Sequence, residues 1–152
     1  MPFILGGPCH RHYEFPHETE ALLNHVDIAP TTLRLCGIDP PAVMDGVDLS
    51  GATRRRGLCD EELPDSLLLQ SVVPTGHPPS VEQPWRGVVT RDGWKYVVFE
   101  TGPYLLFDLN EDPGEFCNLA HHVHARPRRV ALHAELTALL ERVADPFAVP
   151  KL

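Results

Sequence analysis

Four short apolar runs, separated by turn-forming residues and followed by one amphipathic stretch, constrain this chain most. The runs are 66–73, 85–90, 94–100 and 104–109. The second and third hold Val88-Val89 and Tyr96-Val97-Val98-Phe99, residues that fit a pleated, half-buried surface. Asp92-Gly93 between them is a strong signal for a tight hairpin. Gly102-Pro103 marks the next turn. Runs this close together, joined by turns this short, predict an antiparallel meander. A helix is expected from about 127 to 143, with Pro127 near its first turn. Leu132, Leu136, Leu139, Leu140 and Val143 share one face at helical spacing. That stripe predicts core packing against the sheet; a partner-binding groove is the alternative.

The front of the chain has a different character. Phe3-Ile4-Leu5, stopped by Gly6-Gly7-Pro8, is expected to be a strand buried on both faces, as in a parallel sheet. Residues 9–16 form a polar, aromatic loop. Asn24 is the expected N-cap of a short helix, with Asp27 completing an approximate capping box. Pro30 belongs in its first turns, and Gly37 is a natural residue just past its end. Residues 39–64 are rich in Pro, Gly, Asp and Arg and predict a long connection. The expected class is therefore α+β. A strand and a helix come first, then a connection, then an antiparallel sheet of about four strands with a packed C-terminal helix.

Composition narrows the function. A hydrophobic content of 43% supports a core and argues against wholesale disorder. The net charge of -8 argues against nucleic acid as a partner, since phosphate backbones need a basic footprint. Arg54-Arg55-Arg56 is followed at once by Asp60, Glu61 and Glu62, so a solvated loop is expected there rather than a polyanion site. No stretch approaches the ~20 apolar residues of a membrane span. The apolar residues 1–8 lack the basic start of a secretory signal and are too short for one. Of the four Cys (Cys9, Cys36, Cys59 and Cys117), none forms a C-x-x-C pair, and free or buried thiols are expected.

Several segments together resemble the sulfatase family, within the alkaline-phosphatase-like superfamily. Leu106-Phe107-Asp108-Leu109, then Asp112-Pro113-Gly114-Glu115-Phe116-Cys117-Asn118-Leu119-Ala120, is similar to that family's closing signature, about L-Y-D-L-x-x-D-P-x-E-x-x-N-L-A. Residues 2–8 resemble the family strand V-P-L-I-I-x-G-P, and residues 25–38 resemble L-V-D-L-A-P-T-L-L-D-L-A-G-I. Gly46-Val47-Asp48-Leu49 resembles the G-x-S-L that follows. Trp85-Arg86-Gly87-Val88 and Asp92-Gly93-Trp94-Lys95-Tyr96 resemble the family's W-R hairpin. Phe107 stands in place of the usual Tyr, and Val89 in place of a common Arg.

The resemblance implies that residues 1–38 are the tail of a large α/β domain, 39–64 a connection, and 65–152 the smaller C-terminal subdomain. It implies that the intact family uses a divalent cation, Ca²⁺, and a formylglycine nucleophile made from Cys or Ser in C-x-P-x-R. No Cys or Ser here meets that pattern: Cys9 is followed by Arg11 and Tyr13 at the key offsets, Cys36 by Ile38 and Pro40, Cys59 by Glu61 and Leu63, Cys117 by Leu119 and His121. The family's metal-binding Asp pairs and sulfate-binding Lys and His lie upstream of the matching segments. No catalytic, cofactor-binding or metal residue is therefore assigned in this chain.

Other groupings of reactive side chains also have plainer roles. Cys9, His10 and His12 could contribute to a transition-metal site, but four ligands are not specified. His12 and Tyr13 could touch substrate in an intact enzyme. His121, His122 and His124 are expected to be polar surface. Asp108, Asp112 and Glu115 look like a carboxylate cluster suited to Ca²⁺, yet Asp112-Pro113-Gly114 is first of all a turn whose side chains bond local amides. Trp85 and Trp94 are expected to cover the sheet rather than stack a sugar. Three functional readings follow: the C-terminal part of a sulfuric ester hydrolase, inactive alone; a non-catalytic binding module derived from one; or half of a split enzyme. The expected partners are a catalytic sulfatase half or a second copy of the chain, meeting through exposed apolar surface.

Overall fold

A computed structural model describes residues 21–53, 63–72 and 81–152. The expected strand at Phe3-Ile4-Leu5, the Cys9–His10–His12 grouping, Tyr13, Cys59 and the Arg54-Arg55-Arg56 run lie outside the described residues. The chain divides into two compact units, Met1–Asp65 and Ser66–Leu152.

In the first unit, helix α1 (His25–Leu35) begins where Asn24 places it. The Asn24 side chain accepts from the His25 amide at 2.7 Å, and the Asp27 carboxylate accepts from the Asn24 amide at 2.7 Å. These bonds occupy amides that the first helical turn leaves without partners. Pro30 lies inside the helix, and Cys36 caps its end. Gly37 then turns the chain out at φ 76°, a value that favours a residue without Cβ.

Part of the expected connection is built against this helix. Asp27 accepts from the Val47 amide at 2.8 Å, and the Thr31 hydroxyl accepts from the Leu49 amide at 3.0 Å. Arg34 pairs with Asp48 at 3.1 Å and also with Asp39. Asp27, Thr31, Leu49 and Ser50 are all buried. A Cβ on Gly46 would overlap the Val26 carbonyl, so the loop meets the helix backbone at a point where only glycine fits. A 3-10 turn, Ser50–Thr53, follows.

The second unit is a four-stranded antiparallel meander in the order β1-β2-β3-β4, with strands β1 (Ser66–Ser71), β2 (Trp85–Thr90), β3 (Trp94–Phe99) and β4 (Gly102–Asp108). The β2–β3 hairpin turns at Asp92-Gly93 as expected, with Gly93 at φ 86°. A 3-10 turn (Val123–Ala125) leads into helix α2 (Arg126–Arg142), with Pro127 in its first turn.

The core lies between α2 and one face of the sheet. Leu132, Leu136, Leu139 and Leu140 pack with Val88, Tyr96, Val98, Leu106 and Ala120, flanked by Leu68 and Trp94. Val143 departs from the expected stripe. It caps the end of α2 and is 55% exposed, because the chain leaves the helical path at Ala144, where φ is 52°. The other face of the sheet is apolar too, with Val97 and Phe107 buried on it. No helix among the described residues is long and apolar enough to cross a membrane.

Candidate functional site

The loop from Asp108 to Ala120 carries the most distinctive residues of the chain, and five of its polar side chains (Asp108, Asn110, Asp112, Glu115 and Asn118) have definite partners. Asp108 accepts from the Asn110 amide at 3.1 Å, and the Asn110 side chain donates to the Asp92 carbonyl at 2.9 Å, tying this loop to the hairpin turn. Asp112 accepts from the Cys117 amide at 2.7 Å and so closes the Pro113-Gly114 turn. Glu115, at φ 56°, meets Lys95 of β3 at 2.6 Å.

Asn118 does the most. Its side-chain oxygen accepts from the amides of Leu106 and Ala120, both at 3.0 Å, while its NH₂ donates to the Tyr104 carbonyl at 2.9 Å. The Leu119 amide donates to the Leu106 carbonyl at 2.8 Å. This segment therefore acts like a fifth strand for two residues. It blunts the outer edge of β4, which would otherwise offer unpaired backbone groups to another chain. Arg129 of α2 donates to the Ala120 carbonyl and joins the loop to the helix.

Across the hairpin, Asp92 is held by the Thr90 hydroxyl and by Arg128, with the guanidinium 5.0 Å over the Trp94 ring. The hydrogen bond from Thr90, aided by Arg128, holds the Asp92 carboxyl below the usual carboxylate range despite an opposing desolvation effect. Trp94 thus covers the core and carries a cation on its outer face. Trp85 is half-buried at the start of β2.

Two pairings join residues far apart in sequence, and local pattern gave no signal for either. Arg86 and Asp145 meet through two bonds, 2.8 and 3.1 Å, with side chains only 6% and 8% exposed. The bond from Arg86 holds the Asp145 carboxyl below its ordinary value. The Tyr96 hydroxyl lies 3.1 Å from Nδ1 of His133. Burial pushes Tyr96 up to about 12 and His133 below its ordinary 6.5. His133 sits one residue from the Leu132–Leu136 stripe, and that adjacency was its only trace in the sequence.

The histidines of the approach to α2 are exposed. The rings of His122 and His124 lie 5.5 Å apart. Cys36 and Cys117 are exposed free thiols. Among the described residues, no group of three or more His, Cys, Asp or Glu could hold a metal ion.

The family pattern described as "N-sulphoglucosamine sulphohydrolase, C-terminal" matches residues 1–142. The chain belongs to this sulfatase C-terminal family. It is 28% identical to an arylsulfatase of Volvox carteri over 92% of its own length and 24% of that protein's. A solved structure of a 2-O GAG sulfatase is 25% identical with a TM-score of 0.61, over 78% of this chain and 25% of that one. BT4656, solved with its substrate D-glucosamine-2-N,6-O-disulfate, shares the fold with a TM-score of 0.64 at 19% identity, over 83% of this chain and 25% of that one. The chain thus spans about a quarter of the length of the relatives it matches.

Sulfatases are generally metal-dependent, and the signature carboxylates of this sulfatase C-terminal chain do not fit a Ca²⁺ site. A hard cation needs oxygen ligands converging on one point. Asp108 and Asp112 each spend an oxygen on a local backbone amide, and Glu115 is held by Lys95. Their chemistry is that of a folded turn.

Proposed function

We propose that this chain is the C-terminal part of a sulfuric ester hydrolase and that it performs no sulfate-ester chemistry on its own. One observation carries this reading. A C-terminal family pattern spans residues 1–142, yet no Cys or Ser in the sequence sits in C-x-P-x-R. Hydrolysis of a sulfate ester needs a nucleophile and positive groups around the transferred sulfuryl oxygens. With the family's nucleophile motif missing, the residues of this chain serve as support. The sheet and α2 form a firm body, and the partner they serve is a catalytic sulfatase half.

Two measurements test this. The purified chain, supplied with Ca²⁺, is assayed on 4-nitrophenyl sulfate and on an N-sulfated glucosamine; no turnover above buffer is expected, and turnover overturns the reading. Sequencing upstream of the Met1 codon is expected to reveal a C-x-P-x-R motif in an adjoining frame. An upstream region without it sinks the catalytic-half proposal and favours an independent binding module.

A further inference from the structure

The family pattern stops at residue 142 and α2 stops at Arg142, yet the residues beyond are anchored repeatedly. We propose that residues 144–152 are a strap that clamps α2 to the sheet, hinged at Ala144 and latched by Asp145 on Arg86.

The latch is specific. Asp145 reaches across 59 positions of sequence to accept two hydrogen bonds from the Arg86 guanidinium. The remaining Arg86 nitrogen donates to the carbonyls of Ser71 and Trp85, at 3.2 and 3.0 Å, so the fork is also held from the sheet side. Phe147 lies against the same guanidinium, 4.9 Å from ring centroid to carbon, and its amide donates back to Asp145 at 2.8 Å. Phe147 and Val149 pack on the core cluster. Removing Asp145 would leave a buried cation without its counter-charge, a change far more costly than losing a surface pair.

The hinge is strained. Ala144 holds φ 52°, a left-handed conformation that its Cβ disfavours and that glycine usually supplies at a helix end. The amides of Ala144 and Asp145 donate to the carbonyls of Glu141 and Leu140 at 3.1 and 3.0 Å, which closes the turn at the end of α2 and points the strap back toward the sheet. When the latch lets go, Ala144 relaxes and the strap leaves as a unit. This gives the fold a defined local opening just past the end of α2.

Hydrogen exchange read by mass spectrometry on the full chain tests the strap. In the wild type, the amides of Asp145, Phe147, Ala148 and Val149 are expected to be protected well beyond peptide rates. Asp145→Asn is expected to speed their exchange at least tenfold while β3 and β4 change little. Phe147→Ala, which removes only the stacked ring, is expected to act in the same direction and serves as the readout if Asp145→Asn does not fold. Ala144→Gly is expected to slow the tail a few-fold. Three results overturn the proposal: peptide-like exchange of the wild-type tail, wild-type protection in Phe147→Ala, or equal acceleration of the tail and of β3–β4.

Discussion

Replacing Asn118 by alanine removes three hydrogen bonds at once and tests whether the family signature is a structural edge cap. Two of them, from the amides of Leu106 and Ala120, come from residues with no exposed surface; the third, to the Tyr104 carbonyl, is open to water. A typical internal hydrogen bond contributes about 1 kcal/mol net, and more when its loss strands a buried donor. Water replaces the bond at Tyr104 and part of the others, because Asn118 itself is exposed. The expected loss is therefore about 2 kcal/mol, or a drop in unfolding midpoint of about 8 °C at ~4 °C per kcal/mol. Urea unfolding followed by the fluorescence of Trp85 and Trp94 reads this loss from the sheet. Asn118→Asp keeps the acceptor for both amides and loses only the donor to Tyr104, so it is expected to cost about half as much. Exchange of the Leu106 and Ala120 amides is expected to quicken in Asn118→Ala. A loss under about 0.5 kcal/mol, or Asn118→Asp as the more harmful change, would refute the edge-cap argument.

Two further outcomes follow from the two units. Gly46→Ala sets a methyl group against the Val26 carbonyl and 2.9 Å from the Asp27 Cα, which are backbone atoms that cannot step aside. The loop must lift, and the bonds from Val47 to Asp27 and from Leu49 to Thr31 are lost, for about 2 kcal/mol; native-like protection of those two amides in the variant would contradict this. The stability of the second unit is expected to fall as pH drops from 7.5 to 5. His133 is neutral in the fold, with its titration held below 6.5 by burial, so the unfolded chain takes up a proton first. Its contribution is complete above pH 6.5 and is lost as pH falls through the lower folded value, with a slope of at most about 1.4 kcal/mol per pH unit. The Asp145 carboxyl, held below 3.8, keeps its contribution throughout that window. A His133→Gln chain is expected to flatten the profile, and an unchanged slope would remove His133 as the cause.

The local features were legible in the sequence because their physics is local. Asn24 and Asp27 lie three residues apart and close on the same helical turn. The hairpin turn at Asp92-Gly93 needs a residue tolerant of positive φ, which Gly93 supplies. Leu132, Leu136, Leu139 and Leu140 declare their face by spacing alone. The turn role of Asp112 was also open to reading, since an Asp side chain bonds amides only a few residues on. Val143 shows where periodicity fails: it matches the stripe, but the helix ends beneath it and its side chain turns to solvent. The N-L-A segment had a recognisable pattern but no stated task until β4 lay beside it.

By itself, then, the sequence determined the class of the chain, the order of its strands and last helix, the main turns, and the sulfatase family to which it belongs. Those properties come from short-range periodicity, backbone preferences and ordered motifs, all written along the chain. Only the tertiary structure decided which charge answers Arg86, which ring nitrogen meets Tyr96, why Gly46 has no room for a Cβ, and what Asn118 is for. Each of those depends on groups brought together from distant positions. Their energies arise from burial and from the loss of water around a polar atom, and neither quantity exists until the chain has folded.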